Sequence, residues 1–226
     1  MTSWNKKDII YEDEQILVCR KHAGMAVQSA RIGQMDMESA IKNYFDGGYV
    51  GIVQRLDQPV EGVIVFGKDT RSTANLNKQL QNGIMKKKYL AAFTGKPEKM
   101  EGRLEDFLLK NARTNTSSVV SLETAHGKRA VLDYRILGIK ENVGLAEILL
   151  HTGRHHQIRV QMSYHGMPLW ADWKYNPDIT EEEQDDNIGL CAYELDFKHP
   201  NTGKKLHFHI EPEGEIFKNM SAYLKP

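Results

Sequence analysis

The chain has few cysteines and no long apolar run, and each shortage excludes a class of protein. Two cysteines, Cys19 and Cys191, cannot form a disulfide framework or a four-thiolate metal site, so we expect both to be reduced and packed in the fold. No apolar stretch approaches the roughly 20 residues that a transmembrane helix needs. The first eight residues lack the apolar centre of a signal peptide, which predicts a cytoplasmic protein without a membrane partner.

The sequence also lacks an excess of charge of either sign. Thirty basic and thirty acidic side chains give a net charge of zero, which excludes a protein that coats nucleic acid non-specifically. Local clusters remain possible, because basic residues gather at 86–88 and 204–205 and acidic residues gather at 181–186. Such runs are usually exposed to solvent, and we predict that the acidic run is a surface loop.

Patterns that would hold a cofactor or a metal are missing. There is no Gly-x-Gly-x-x-Gly motif and no phosphate-binding loop, so no nucleotide cofactor is predicted. Several histidines lie close in sequence, but none has the cysteine or carboxylate spacing of a zinc site. We therefore expect no metal, although these imidazoles offer ligand atoms: His151, His155, His156, His207 and His209.

What is present is the composition of an ordinary globular protein. Of the 226 residues, 40% are hydrophobic and 27% are charged, and there is no long linker, repeat or low-complexity tract. This length suits one domain with a substantial core. We predict a single domain over 1–226.

Hydrophobic periodicity predicts an α+β fold with a mixed, mainly antiparallel sheet and flanking helices. Helices are predicted at 36–45, with Asp36 as N-cap, at 70–82, capped by Thr70 or Ser72 and ended by Gly83, and at 155–164. The segments 117–120 and 130–134 are predicted to pair as a hairpin around a turn at 127–129. The other predicted strands are 9–11, 15–20, 62–67, 87–94, 145–150 and 206–210.

The most informative segment is Val53-Gln54-Arg55-Leu56-Asp57, which precedes a turn and an uninterrupted apolar strand. A carboxylate beside a buried strand costs free energy unless another group compensates its charge. A compensating arginine is available downstream in Thr152-Gly153-Arg154-His155-His156-Gln157-Ile158-Arg159. Asp57 alone would be read as the cap of a turn, a common position for aspartate.

These two segments resemble the signatures of the RluA family of pseudouridine synthases. The family's first signature, His-Arg-Leu-Asp followed by Thr-Ser-Gly and an apolar strand, is matched by Gln54 to Lys68. A Lys-Tyr pair that opens a strand is matched by Lys88 and Tyr89, and Thr-Gly-Arg-x-His-Gln-Ile-Arg is matched by 152–159. Together with the closing segment 190–203, the resemblance extends from about Ile9 over almost the whole chain. It implies the family fold, a twisted sheet with a central cleft.

The resemblance implies a catalytic trio. Asp57 would be the nucleophile, because a carboxylate can form a covalent intermediate and later leave; whether it attacks the ribose or the uracil ring stays open. Tyr89 would stack on the flipped base and take part in proton transfer, whereas without the resemblance it would be read as a core residue. Arg159 would keep Asp57 ionised as a permanently charged partner; the alternative is a surface arginine on an amphipathic helix.

Further residues would contact the RNA. Arg55 would fill the gap left by the flipped uridine or contact its phosphate, and Lys88 would support Tyr89. Leu190 would form an apolar wall of the uracil pocket, although packing explains a leucine there equally well. The remaining predicted contacts are Gln54, Arg154, His156 and Gln157.

The sequence departs from the family pattern at three places. Gln54 replaces the histidine before Arg-Leu-Asp, and Lys21-His22-Ala23-Gly24 replaces Lys-Pro-Ala-Gly. Val60-Glu61-Gly62 replaces Thr-Ser-Gly, so Glu61 adds a negative charge near Asp57 and the RNA phosphates. These changes leave the trio intact but affect the choice of RNA.

The predicted function is a cofactor-free RNA uridine isomerase that acts as a monomer on a stem-loop of ribosomal or transfer RNA. The S4-type RNA-binding domain that the family often carries is expected to be absent. A catalytically inactive RNA-binding protein on the same fold is the first alternative. A carboxylate-based nucleoside or glycoside hydrolase is the second, but such enzymes use two acidic residues, and Glu61 is the only other candidate nearby.

Overall fold

The structure is a computed structural model that describes residues 4–29, 35–179 and 187–224. The predicted acidic loop at 181–186 lies outside these residues. Backbone contacts divide the chain into two compact units. The first unit comprises 1–87 and 191–212, and the second comprises 88–190 and 213–226.

The described elements confirm the predicted α+β class with a mixed, mainly antiparallel sheet. The helices are α1 (Met37–Tyr44), α2 (Thr70–Gln81), α3 (Gln157–Tyr164) and α4 (Glu215–Asn219). The strands are β1 (Ile9–Glu12), β2 (Ile16–Lys21), β3 (Gly51–Ile52), β4 (Glu61–Gly67), β5 (Lys86–Thr94), β6 (Glu101–Asn111), β7 (Thr116–Val120), β8 (Lys128–Lys140), β9 (Val143–Leu150), β10 (Leu190–Lys198) and β11 (Lys205–His209).

In the first unit the strands are ordered β1-β2-β4-β10, with β3 paired to β4 and β11 paired to β10. Every residue of β4 is buried; the continuous apolar run from Gly62 to Gly67 predicts this, and the charged Glu61 is buried as well. β4 runs antiparallel to β2 and parallel to β10, where Gly62 lies opposite Ala192. A Cβ at Gly62 would come within 2.5 Å of the Ala192 Cβ, so glycine is needed for this close approach.

The two helices of the first unit lie where their sequence signals predict. Asp36 caps α1 by accepting the Ser39 N–H at 2.8 Å, as expected. The predicted cap of α2 at Thr70 or Ser72 is wrong, because Asp69 holds that position and accepts the Ser72 N–H at 2.8 Å. The extended backbone of Asp69 aims its carboxylate at the first turn, so the helix begins one residue after it.

In the second unit the strands pair antiparallel throughout, in the order β5-β9-β8-β6-β7. The predicted hairpin of 117–120 with 130–134 is wrong, because β6 lies between β7 and β8 and pairs with both. Lys128 and Arg129, assigned to a turn, belong to β8. β6 has many polar residues, and its charges find partners across the strands: Arg103 Nε lies 2.6 Å from Asp133, and Arg129 Nε lies 2.6 Å from Glu105.

The helix predicted at 155–164 begins two residues later, at Gln157, so His155 lies outside α3. His156 adopts a left-handed backbone with φ of 54°, which a continuing helix does not allow. Its other end agrees with prediction, since Gly166 has φ of 75° and the Met167 N–H bonds to the Met162 carbonyl at 2.8 Å.

Both cysteines are free and buried, as expected. Within the described part of the chain, no helix is long and apolar enough to cross a membrane.

Candidate active site

Asp57 lies in the loop between β3 and β4 and is half-buried. Its carbonyl accepts the Val60 N–H at 3.0 Å, which closes a tight turn. The turn is tied to a second loop, because Gln58 and Gly24 exchange two hydrogen bonds of 2.9 Å each. Hydrogen bonds at Asp57 and at the next residue therefore hold the backbone that carries the Asp57 carboxylate.

Lys21, which the sequence analysis did not single out, lies beneath this turn. Its side chain is fully buried, and its Nζ donates to the backbone carbonyls of Gln58 at 3.0 Å and Val60 at 2.6 Å. Burial lowers the pKa of Lys21 to about 7, although the negative charges of Asp57 and Glu61 oppose this shift. The environment of Asp57 thus contains a buried amine.

Glu61 opens β4 and is only 2% exposed. Its Oε2 lies 4.0 Å from Nη1 of Arg20 on the neighbouring strand β2. The negative charge of Glu61, which the family pattern lacks at this position, is therefore buried and close to Arg20.

The two residues before Leu56 differ in exposure. Gln54 is buried, whereas Arg55 is exposed to solvent. An exposed guanidinium two residues before the half-buried carboxylate is available to a phosphate.

In the second unit, Tyr89 lies in β5, opposite Ile148 of β9, and is 6% exposed. Its neighbour Lys88 points to the other side of the strand and places its Nζ 3.7 Å from Glu147. The lysine and the tyrosine of this motif therefore have different surroundings.

Arg159 is 3% exposed and forms a bidentate ion pair with Asp172, which has no exposed surface. Its Nε and Nη2 donate to the two carboxylate oxygens at 2.7 and 2.6 Å. The guanidinium carbon lies 5.1 Å from the centre of the Tyr175 ring. The alternative prediction, a surface arginine on an amphipathic helix, is therefore wrong, because Arg159 and Asp172 are both buried.

His156 precedes α3 and is buried against its neighbours. Its Nδ1 lies 2.7 Å from the Tyr175 hydroxyl, and its ring stacks on His155 with centres 3.7 Å apart. Burial, with the positive charge of Arg159, lowers the pKa of His156 to about 2, so the ring is neutral at physiological pH.

Both the oxygen and the nitrogen of the Gln157 side-chain amide form hydrogen bonds. Its Oε1 accepts the Thr152 hydroxyl at 2.7 Å and the Arg154 N–H at 3.0 Å, while its Nε2 donates to Val131 and Gln161. These contacts shape the loop before α3. Arg154 is exposed, and its Nε donates to the Arg129 carbonyl at 2.9 Å.

Leu190 is 4% exposed, and its N–H bonds to the Ile188 carbonyl at 2.6 Å. The predicted residues thus form two groups. Gln54, Arg55 and Asp57 belong to the first unit, and the others belong to the second: Lys88, Tyr89, Arg154, His156, Gln157, Arg159 and Leu190.

One group of described residues has the ligand types of a metal site. Glu194, Asp196 and His207 bring their ligand atoms within 4.8 Å of one another on β10 and β11. Asp196 and His207 lie directly opposite each other and are joined by a hydrogen bond of 2.7 Å. This exposed pairing explains their arrangement without an ion.

Sequence reasoning assigned no role to three residues that interact with the predicted ones. Lys21 ends an otherwise largely apolar strand, and a lysine at that place is a signal of a buried partner. Asp172 and Tyr175 lie thirteen and sixteen residues after Arg159, the last residue of the third motif. Sequence spacing alone does not indicate that they contact Arg159.

Comparison with known proteins defines the class. A family model described as RNA pseudouridylate synthase matches residues 15–164. The chain is 32% identical over 224 residues to an uncharacterized RNA pseudouridine synthase, YlyB, of Bacillus subtilis, covering 94% of this chain and 72% of the relative. It is also 32% identical over 219 residues to ribosomal large subunit pseudouridine synthase D of Zymomonas mobilis, covering 90% and 68%.

The chain therefore belongs to the RNA pseudouridylate synthase family, and the predicted RluA-type resemblance is confirmed. It is an isomerase that converts uridine in RNA to pseudouridine. Human RNA Pseudouridylate Synthase Domain Containing 4 shares the fold, with a TM-score of 0.77 at 18% identity over 96% of this chain and 93% of that chain.

Proposed function

We propose that this protein isomerises a uridine in ribosomal RNA through a covalent bond to Asp57. The supporting observation is the Asp57 turn, which hydrogen bonds to Gly24 and to the buried Lys21 hold in place, while Asp57 itself is only half-buried. A nucleophile needs this combination of a rigid backbone and an accessible charged oxygen. The ribosomal substrate follows the names of the relatives, and a transfer RNA stem-loop is the second substrate class.

Uridine in a stem-loop must leave its stack before a carboxylate can reach it. We therefore include base flipping in the proposal, with the ring of Tyr89 stacking on the extruded uracil and its hydroxyl assisting proton transfer. Leu190 adds apolar surface beside the base.

Arg159 is proposed to hold Asp57 in its ionised form. The buried bidentate pair with Asp172 supports this role, because it fixes the plane and direction of the guanidinium through Nε and Nη2. A guanidinium oriented in this way stabilises a second carboxylate more effectively than a flexible one.

The exposed arginines Arg55 and Arg154 are proposed to contact the RNA backbone, and Lys88 adds positive charge. Gln54 and His156 complete the surface that the RNA contacts. Gln157 acts through the loop that its amide holds together. We propose a monomer that acts in the cytoplasm, where ribosomal RNA is modified.

The test is release of tritium from ribosomal RNA labelled at carbon 5 of uridine, prepared from cells that lack this gene. Isomerisation replaces the bond between carbon 5 and tritium with a bond between carbon 5 and the ribose, so the wild-type protein should release tritium. Asp57→Asn should release none, and Asp46→Asn, an exposed carboxylate in the same unit, should match the wild type.

Turnover by Asp57→Asn would overturn the assignment of the nucleophile. Binding of the RNA without release by the wild type would instead support the non-catalytic RNA-binding protein.

A further inference from the structure

Lys21 is fully buried, with 0% of its surface exposed, although lysine is almost never found in such a position without partners. It ends β2, where it lies opposite Gly62 of β4. The preceding residues of the strand, from Ile16 to Cys19, are apolar and buried. The amine therefore needs a local arrangement of polar groups to offset the cost of its burial.

The polar groups around its Nζ are three backbone carbonyls. They belong to His22 at 3.0 Å, Gln58 at 3.0 Å and Val60 at 2.6 Å. An ammonium group has three N–H donors, whereas a neutral amine has two, so the three acceptors fit the charged form. Two of the three carbonyls belong to the turn that begins at Asp57.

Two acidic groups in different elements influence Lys21. Asp57 in the turn and Glu61 at the start of β4 both act on it electrostatically. Arg20, its neighbour on β2, lies 4.0 Å from Glu61, and the adjacent His22 is bound to Asp8 of the preceding 3-10 helix at 2.8 Å. Glu61 stands where the family pattern has serine, so this second carboxylate is a feature of the present chain.

We propose that the Lys21 ammonium is a positioning residue for Asp57, which holds the 57–60 turn in place, and that Glu61 stabilises its positive charge. The proposal rests on the proposed role of Asp57 as the nucleophile. Loss of one proton from Lys21 leaves one of the three carbonyls without its donor, so the turn loosens and the carboxylate loses its fixed position.

A pH dependence follows from this arrangement. Burial lowers the pKa of Lys21, and the negative charges of Asp57 and Glu61 partly offset this, so that the pKa is about 7. The ammonium form, and the activity that depends on it, is present below this pH and lost above it. Removal of the Glu61 charge moves the loss of activity to lower pH.

The test is the pH profile of kcat/KM for the wild type, Glu61→Gln and Glu12→Gln. Glu12 pairs with Lys68 at 2.7 Å in the same unit and serves as the matched control. We expect the basic limb of the wild-type profile near pH 7, a limb about 0.5–1 pH unit lower in Glu61→Gln, and no change in Glu12→Gln. Superimposed profiles for Glu61→Gln and the wild type would overturn the proposal.

A second measurement reads Lys21 without any catalysis. NMR titration of the lysine side chains, labelled with carbon-13 at Cε, should show one lysine with a midpoint near pH 7 that moves lower in Glu61→Gln. A midpoint for Lys21 at the ordinary lysine value of about 10.4 would contradict the proposal. If the wild type has no isomerase activity, the proposed function fails, and this titration still decides whether the buried charge arrangement exists.

Discussion

At the scale of single residues, the main feature of the protein is the burial of charged groups with well-defined partners. Arg159 pairs with Asp172, and Lys21 donates hydrogen bonds to three backbone carbonyls and feels the negative charges of Asp57 and Glu61. Buried charges contribute little net stability as pairs, but removal of one member leaves the other uncompensated. We therefore propose that these groups serve to orient the site rather than to stabilise the fold.

The Arg159–Asp172 pair should behave as a unit in unfolding experiments. We expect Arg159→Ala and Asp172→Ala each to lower the free energy of unfolding by about 3 kcal/mol, because each leaves a buried charge without its bidentate partner. The double variant should lose much less than the sum of the two. Urea unfolding measures this coupling, and strictly additive losses would show that the pair is not a unit.

Tyr89 offers a way to separate packing from chemistry. Tyr89→Phe keeps the ring and removes only the hydroxyl, so we expect the free energy of unfolding to change by less than about 1 kcal/mol. Turnover should fall by about 100-fold if the hydroxyl assists proton transfer, while RNA binding is retained. Wild-type turnover in this variant would limit Tyr89 to stacking.

At the scale of elements, the loop before α3 connects the third sequence motif to the site. The left-handed backbone at His156 ends the loop, and Gln157 holds it through its hydrogen bonds to Thr152 and Arg154. Because the ring of His156 is buried and neutral, its contribution to the free energy of unfolding should depend on pH.

The acid sensitivity of this element has a definite sign. The folded pKa of His156, about 2, lies below the unfolded value near 6.5, so the unfolded chain binds the extra proton first. Its contribution to the free energy of unfolding should therefore fall by up to about 1.4 kcal/mol for each pH unit below 6.5. Asn accepts a left-handed backbone, so His156→Asn should lose stability less steeply in melting curves between pH 7 and 4. An equal loss of stability with falling pH in the wild type and in His156→Asn would show that His156 is not the cause.

The sequence allowed some elements to be predicted better than others, for physical reasons. β4 and the cap of α1 are determined locally, by a continuous apolar run and by Asp36 at an N-cap. β6 was missed because its charged residues find their partners on β8, and such pairing is a property of the folded sheet. For the same reason the β7–β8 hairpin was predicted where β6 intervenes.

The candidate site shows the same distinction. Motifs assigned roles to Asp57, Tyr89 and Arg159. Lys21 and Asp172 were assigned none, because they interact with residues 36 and 13 positions away in sequence, Asp57 and Arg159.

At the scale of the whole molecule, thirty basic and thirty acidic residues must still allow RNA binding. A neutral protein binds RNA through a small number of local contacts, so we expect a shallow dependence of affinity on salt. Arg55→Ala should reduce the slope of log K against log salt by about 0.7, the effect of one contact to single-stranded RNA. Filter binding at several salt concentrations measures this, with Lys42→Ala, exposed and paired with Glu38, as the control. An unchanged slope in Arg55→Ala would remove this arginine from the interface.

The central claim is that the chain makes pseudouridine in ribosomal RNA and that Asp57 is required for it. Its most direct test is nucleoside analysis of ribosomal RNA from cells that lack the gene and carry either the wild-type or the Asp57→Asn protein at equal levels. We expect the wild type alone to restore a pseudouridine that is missing from the deletion strain. Restoration by Asp57→Asn, or an unchanged pseudouridine content on deletion, would contradict it.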